Sequence, residues 1–146
     1  IRAAETFGFK VWFGDGTRLD ILKAAGADTA RAVVIATDKQ EVTTRIVKLV
    51  KHEFPNAVIL ARAFDRAHVL ELIKEGVDHQ MREVFHSALA LGGEALEVLG
   101  VEPEEIEEIA EGIRRRDAER LALQMTGDIY SGRSLILGNA EHTVRT

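Results

Sequence analysis

Two five-residue apolar runs, Ala32-Val33-Val34-Ile35-Ala36 and Ala57-Val58-Ile59-Leu60-Ala61, constrain this chain more than any other feature. Both are apolar at consecutive rather than alternate positions, the pattern of a parallel strand covered by helices on each face. Each leads into a helical rhythm. After the first, Asp38 and Glu41 have capping-box spacing, and Val42, Ile46, Leu49 and Val50 share one helical face until Phe54-Pro55-Asn56 breaks it. After the second, Asp65 is a candidate cap, and Val69, Leu72 and Ile73 form an apolar stripe that ends at Gly76.

A similar unit comes before them. Phe9-Lys10-Val11-Trp12-Phe13 alternates like a strand, Gly14-Asp15-Gly16 supplies a turn, and Thr17 with Asp20 is placed to cap a short helix through Leu19, Leu22 and Lys23 that ends near Gly26. Three strand-then-helix units in succession predict an α/β fold with a parallel sheet and right-handed crossovers. A further strand is expected near residues 80–84. Ala88, Leu91, Ala95, Leu96 and Leu99 then keep helical spacing up to Gly100, as for a helix packing on the sheet or on a second subunit.

From Pro103 the composition changes. Glu104, Glu105, Glu107, Glu108 and Glu111 come first and Arg114-Arg115-Arg116 follows, the order that suits a helix dipole, with Ile106, Ile109 and Ile113 as a narrow apolar seam. Beyond Met125 periodicity fades, which predicts a surface strand, a linker or disorder. The expected organisation is therefore 1–100 as the α/β portion, 101–126 as a helical extension and 127–146 as a tail. The opening Ile1-Arg2-Ala3-Ala4-Glu5 reads as the end of a helix, so the segment is expected to be cut from something longer.

Composition removes several classes of function. A net charge of -5 without a clustered cationic face argues against nucleic acid or an anionic lipid surface as partner. The absence of cysteine excludes thiol catalysis and thiolate metal sites. His52, His68, His79, His86 and His142 include no i,i+4 pair that would suggest zinc. No serine nucleophile elbow and no base with a partner is visible. No apolar run approaches the roughly 20 residues needed to span a bilayer.

In an open parallel sheet, ligands bind beyond the carboxyl ends of the strands. Three such ends are readable: Gly14-Asp15-Gly16-Thr17, Ala36-Thr37-Asp38 and Ala61-Arg62-Ala63. Asp15 can accept from an adenine amino group or a ribose hydroxyl, Gly14 and Gly16 let a planar base approach the backbone, and Thr37 can hold phosphate or ribose. Asp15 and Thr17 suit helix capping equally well. Asp38 is a cap first, because the Glu41 spacing already explains it. Arg62, at the end of a buried strand, requires an anion, either a ligand phosphate or a nearby carboxylate.

Taken in order, Gly8-Phe9-Lys10-Val11, Gly14-Asp15-Gly16-Thr17, Leu19-Asp20-Ile21-Leu22, Ala24-Ala25-Gly26, Ala36-Thr37-Asp38, Phe54-Pro55, Ala61-Arg62-Ala63 and Arg82-Glu83-Val84-Phe85 resemble the RCK or KTN (TrkA-N-like) regulatory domain of Kef-type glutathione-regulated potassium efflux systems. The resemblance implies a Rossmann-like doubly wound parallel sheet, lacking its first strands in this chain and followed by C-terminal helices. It implies NAD(H) or AMP as a regulatory ligand rather than a turned-over substrate. The nucleotide would be met by Gly14, Asp15 and Thr17 at its adenine end, by Thr37 and Asp38 at ribose and phosphate, and by Arg62 after the later strand. It also implies a homodimer, a membrane transport domain of the parent protein and an ancillary cytoplasmic subunit as partners, with the domain at the cytoplasmic face of the inner membrane. The chain departs from the family where Phe64 replaces a frequent second arginine and where Glu71 and Ile73 replace basic residues, positions that bear on glutathione binding. The competing readings are a fragment of an NAD-dependent Rossmann oxidoreductase and a ligand-free oligomerisation module. Tyr130, the only tyrosine, falls in the tail, which counts against the former.

Overall fold

The computed structural model describes residues 14–137. The strand expected at Phe9–Phe13, the opening segment and the end of the tail, with His142, lie outside them. The described elements run α1 (Leu19–Ala24), β1 (Ala32–Ile35), α2 (Gln40–Glu53), β2 (Val58–Ala63), α3 (Arg66–Lys74), β3 (His79–Arg82), α4 (Glu83–Val98), α5 (Pro103–Thr126) and α6 (Ser134–Leu137). They divide into two compact units. One takes the residues up to Ala63 together with Glu71–Met81, and the other takes Phe64–Leu70 together with Arg82 onward.

The first unit holds a three-stranded sheet in the order β1-β2-β3. β1 and β2 are parallel, with Val33 opposite Ile59, Val34 opposite Leu60 and Ile35 opposite Ala61. This is the α/β, Rossmann-like class that the paired apolar runs predict. Helix α2 lies against both strands. It buries Thr43, Ile46, Val47 and Val50, while the sheet buries Ile35, Ile59, Ala61 and Ala63. The helix stops at Phe54, because Pro55 disfavours helical geometry in the residue before it. Gly26 and Gly76, at φ of 92° and 88°, end α1 and α3 in the left-handed conformation that glycine adopts without strain. At the second of these, Gly76 and Val77 donate their N–H groups back to Ile73 and Leu72.

Among the described residues, helices cover one sheet face. Val34 is 72% exposed and Val58 41%. By strand alternation they share a face with Leu60 and Arg62, opposite the face that α2 covers.

In the second unit, α4 and α5 pack together. β3 ends at Arg82 and α4 begins at Glu83, so the expected strand near residues 80–84 gives way to helix two residues early. α4 has no buried residue, and α5 buries only Gln124. Polar contacts hold α5 instead. Asp117 accepts from both Arg66 and Arg82, and Gln124 Oε1 accepts from Arg66 at 3.0 Å. Among the described residues, 127–137 form turns and the short helix α6.

Candidate functional site

Helix α2 supports two of the three loops that the sequence singles out. A Cβ added at Gly16 would lie 3.2 Å from Ile46 Cδ1, so the Gly14–Thr17 turn rests on α2. The Thr37 hydroxyl is 2.7 Å from the Thr43 hydroxyl, which anchors the β1–α2 loop to the first turn of the same helix. Arg62 projects from β2, half-buried, and has its own partner in the chain. Because β1 and β2 are parallel, the loop carrying Thr37 and Asp38 and the end of β2 lie at the same edge of the sheet.

Asp15 is exposed and held in a turn. Its Oδ1 accepts the Thr17 backbone N–H at 2.8 Å and the Thr17 hydroxyl at 2.7 Å, while its carbonyl accepts from the Arg18 N–H. These two Thr17 bonds hold the Asp15 carboxyl below its ordinary range. Nearby Arg18 and Arg45 add to the effect. Both bonds fall on Oδ1, which leaves Oδ2 as an anionic acceptor for a ligand donor.

Neither expected cap forms. The N-cap of α1 is Arg18, without a side-chain cap bond, because the Thr17 hydroxyl donates to Asp15 instead of accepting from the helix. Asp20 pairs with Arg18 at 2.7 Å rather than closing a capping box. The N-cap of α2 is Lys39, and Asp38 makes no cap bond. The Thr37 hydroxyl, 3.3 Å from the Lys39 carbonyl, bridges the helix entry instead. Asp38 is exposed at the loop tip. By contrast Asp65 does cap α3, accepting the His68 N–H at 2.8 Å. His68 is fully buried, and its Nδ1 accepts the Phe64 N–H at 3.2 Å.

Gly14 has a packing reason of its own. A Cβ there would approach Ile21 Cγ2 to 2.6 Å. Sequence reasoning missed Arg45, an exposed α2 residue whose charge reaches Asp15, because nothing in its helical spacing distinguishes it from other surface cations. No group of His, Asp or Glu among the described residues is arranged to hold a metal ion. The turn and the two strand ends carry the exposed carboxylates of Asp15 and Asp38, the Thr37 hydroxyl and the half-buried Arg62.

Residues 1–83 match the family model of the TrkA-N domain. The chain belongs to the TrkA-N domain family. It is 46% identical over 121 residues to a glutathione-regulated potassium-efflux system protein of Haemophilus influenzae, a match that takes in 83% of this chain and 20% of that protein. The chain thus spans about a fifth of that relative's length. The Shewanella denitrificans Kef CTD in its AMP-bound form is 38% identical with a TM-score of 0.77, over 80% of this chain and 74% of that one. The TrkA-N domain of the Escherichia coli inner membrane protein ybaL, 18% identical with a TM-score of 0.58, over 67% of this chain and 70% of that one, shares the fold. In this TrkA-N chain no helix among the described residues is long and apolar enough to cross a membrane.

Proposed function

We propose that this chain is the nucleotide-sensing portion of a regulatory domain that gates a Kef-type potassium–proton antiporter. An adenine nucleotide, AMP or NAD(H), binds beyond the carboxyl ends of the strands and acts as a regulatory ligand. Asp15 takes the adenine amino group or a ribose hydroxyl, with Gly14 and Thr17 shaping the turn beside it. Thr37 and Asp38 face ribose and phosphate, and Arg62 supplies positive charge at the end of β2. The 1–100 portion carries the nucleotide, and 101–126 is a helical extension.

The observation that carries this reading is the exposed Asp15 carboxylate, pinned on one oxygen only and held ionised by Thr17. The AMP-bound state of the 38%-identical Shewanella relative supports it. Ligand acts by favouring one geometry of a homodimer, which biases the attached transport domain at the cytoplasmic face of the membrane.

Calorimetric titration of the chain with AMP and with NADH tests the proposal. Saturable binding of at least one, without oxidation of NADH in the presence of carbonyl substrates, is the expected result. Steady turnover that disappears on mutating a residue of the cleft would replace a regulatory domain with an oxidoreductase.

A further inference from the structure

A threonine hydroxyl has one proton to donate and two lone pairs to accept with, so the direction of each bond it makes fixes what it can still offer a ligand. Thr43, in the first turn of α2, is fully buried, and among the described residues its hydroxyl has one partner, the Thr37 hydroxyl at 2.7 Å. A buried proton without an acceptor is costly, so the Thr43 proton goes to the Thr37 oxygen. The Thr37 hydroxyl in turn donates to the Lys39 carbonyl at 3.3 Å.

This chain of two bonds decides what the β1–α2 loop can recognise. With its proton directed to Lys39 and one lone pair taken by Thr43, Thr37 keeps a single lone pair, which accepts a hydrogen bond and cannot give one. An ionised phosphate oxygen also only accepts, so it finds no bond at Thr37. A ribose hydroxyl donates, and therefore fits. Asp38, the next residue, adds the same bias: its exposed carboxylate repels a phosphate and accepts from a hydroxyl.

We infer, given the nucleotide reading above, that Thr43 is a positioning residue that holds Thr37 as a hydrogen-bond acceptor, and that Thr37 so held selects its ligand by a free ribose hydroxyl rather than by phosphate. The ligand class this defines is the ribonucleosides and ribonucleotides, distinguished from their deoxy forms. Thr43 touches no ligand itself. It acts by removing the other direction in which the Thr37 hydroxyl could point.

Calorimetric titration of the full chain with AMP, adenosine, 2′-deoxy-AMP and 3′-deoxy-AMP tests it. One of the two deoxy compounds should bind about fivefold or more weakly than AMP, the scale of one lost hydrogen bond, and which one does so identifies the hydroxyl. Thr37→Val should cancel that preference and weaken AMP and adenosine by the same factor, since no bond to phosphate is lost. Thr43→Val keeps the shape of the side chain but frees the Thr37 hydroxyl to turn its proton outward, so the preference should fall to about twofold or less. Thr43→Ser keeps the donated proton and should retain the wild-type preference. A merely structural Thr43 would lower the melting temperature and leave the ratio of the two affinities alone. If Thr43→Val does not fold, Thr43→Ala takes its place. A wild type that binds AMP and both deoxy forms alike, a Thr37→Val that loses affinity for AMP but not for adenosine, or a wild-type ratio in Thr43→Val overturns the inference and leaves the nucleotide reading standing. A wild type that binds no AMP overturns the inference together with AMP as the ligand.

Discussion

One oxygen of Asp15 accepts both the backbone N–H and the hydroxyl of Thr17, at 2.8 and 2.7 Å, which makes this acid the organiser of its turn rather than a helix cap. Asn at this position keeps an oxygen for both Thr17 bonds but loses the charge. Asp15→Asn should therefore weaken AMP binding by about tenfold, the scale of one spoiled charge-assisted hydrogen bond, while the ligand-free melting temperature moves little. Calorimetry of both proteins with and without AMP measures the two effects together. Unchanged affinity would remove Asp15 from the nucleotide site and leave it a turn residue.

The same geometry makes a pH prediction whose sign follows from the lowered Asp15 pKa. A carboxylate with a depressed folded pKa contributes stability that is complete above the unfolded value and is lost as pH falls through the folded one. The turn should thus hold through the ordinary carboxylate range and loosen only below it. A carboxyl NMR titration should place the Asp15 midpoint below that of a free aspartate. Thr17→Val, which deletes the hydroxyl that acts most strongly on Asp15, should bring the midpoint back up. A midpoint that ignores Thr17→Val would show that the Thr17 hydroxyl does not hold the charge.

The fold was legible where local pattern and tertiary packing agree. The runs around Val33 and Ile59 became parallel neighbours in register, the stripe of Ile46 and Val50 became the covering helix, and Asp65 capped α3. Legibility failed where a side chain had two uses. Thr17 and Asp38 both have cap spacing, yet Asp15 claims the Thr17 hydroxyl and the pair Thr37 and Thr43 takes over the entry to α2. Val34 is as apolar as Val33, and only the arrangement of helices leaves it 72% exposed among the described residues. The contact of Asp117 with Arg66 joins residues 51 apart, beyond any local spacing rule, so that ion pair could not be seen in the chain.

Asp78 completes the ladder of β2 before β3 begins. Its Oδ2 accepts the Ile59 N–H at 2.8 Å, and its own N–H donates to the Ile59 carbonyl at 3.0 Å. Ile59 is fully buried while Asp78 is exposed, so the bond lies at the margin of the sheet, where water can take the place of a lost acceptor. Asp78→Ala should cost about 0.5–1.5 kcal/mol, the net range for a hydrogen bond that water can replace. Asp78→Asn, which retains an acceptor oxygen, should cost less. Urea denaturation with an unchanged slope would report this as a loss of folded-state stability. Equal loss in both variants would mean that charge, not the strand bond, is what Asp78 contributes.

On α4, Val84, Leu91 and Val98 recur every seven residues and are 70%, 72% and 86% exposed, with Leu99 beside them at 78%. A repeat of seven places them along one side of the helix, a continuous apolar stripe of the kind that a second helix covers. The expected partner is the same stripe of another copy, since a two-fold axis makes one patch serve both subunits. Leu91 lies at the middle of the stripe, where a charge would be buried by association and left unpaired. Leu91→Glu should therefore convert the expected dimer to a monomer, while helix content is preserved because glutamate is a good helix former. Sedimentation velocity at about tens of micromolar, a concentration suited to weak interfaces, reads the mass, and circular dichroism checks the helix. A wild-type monomer at that concentration, or a Leu91→Glu dimer as tight as the wild type, would rule out this stripe as the interface and move the search to the open sheet face around Val34.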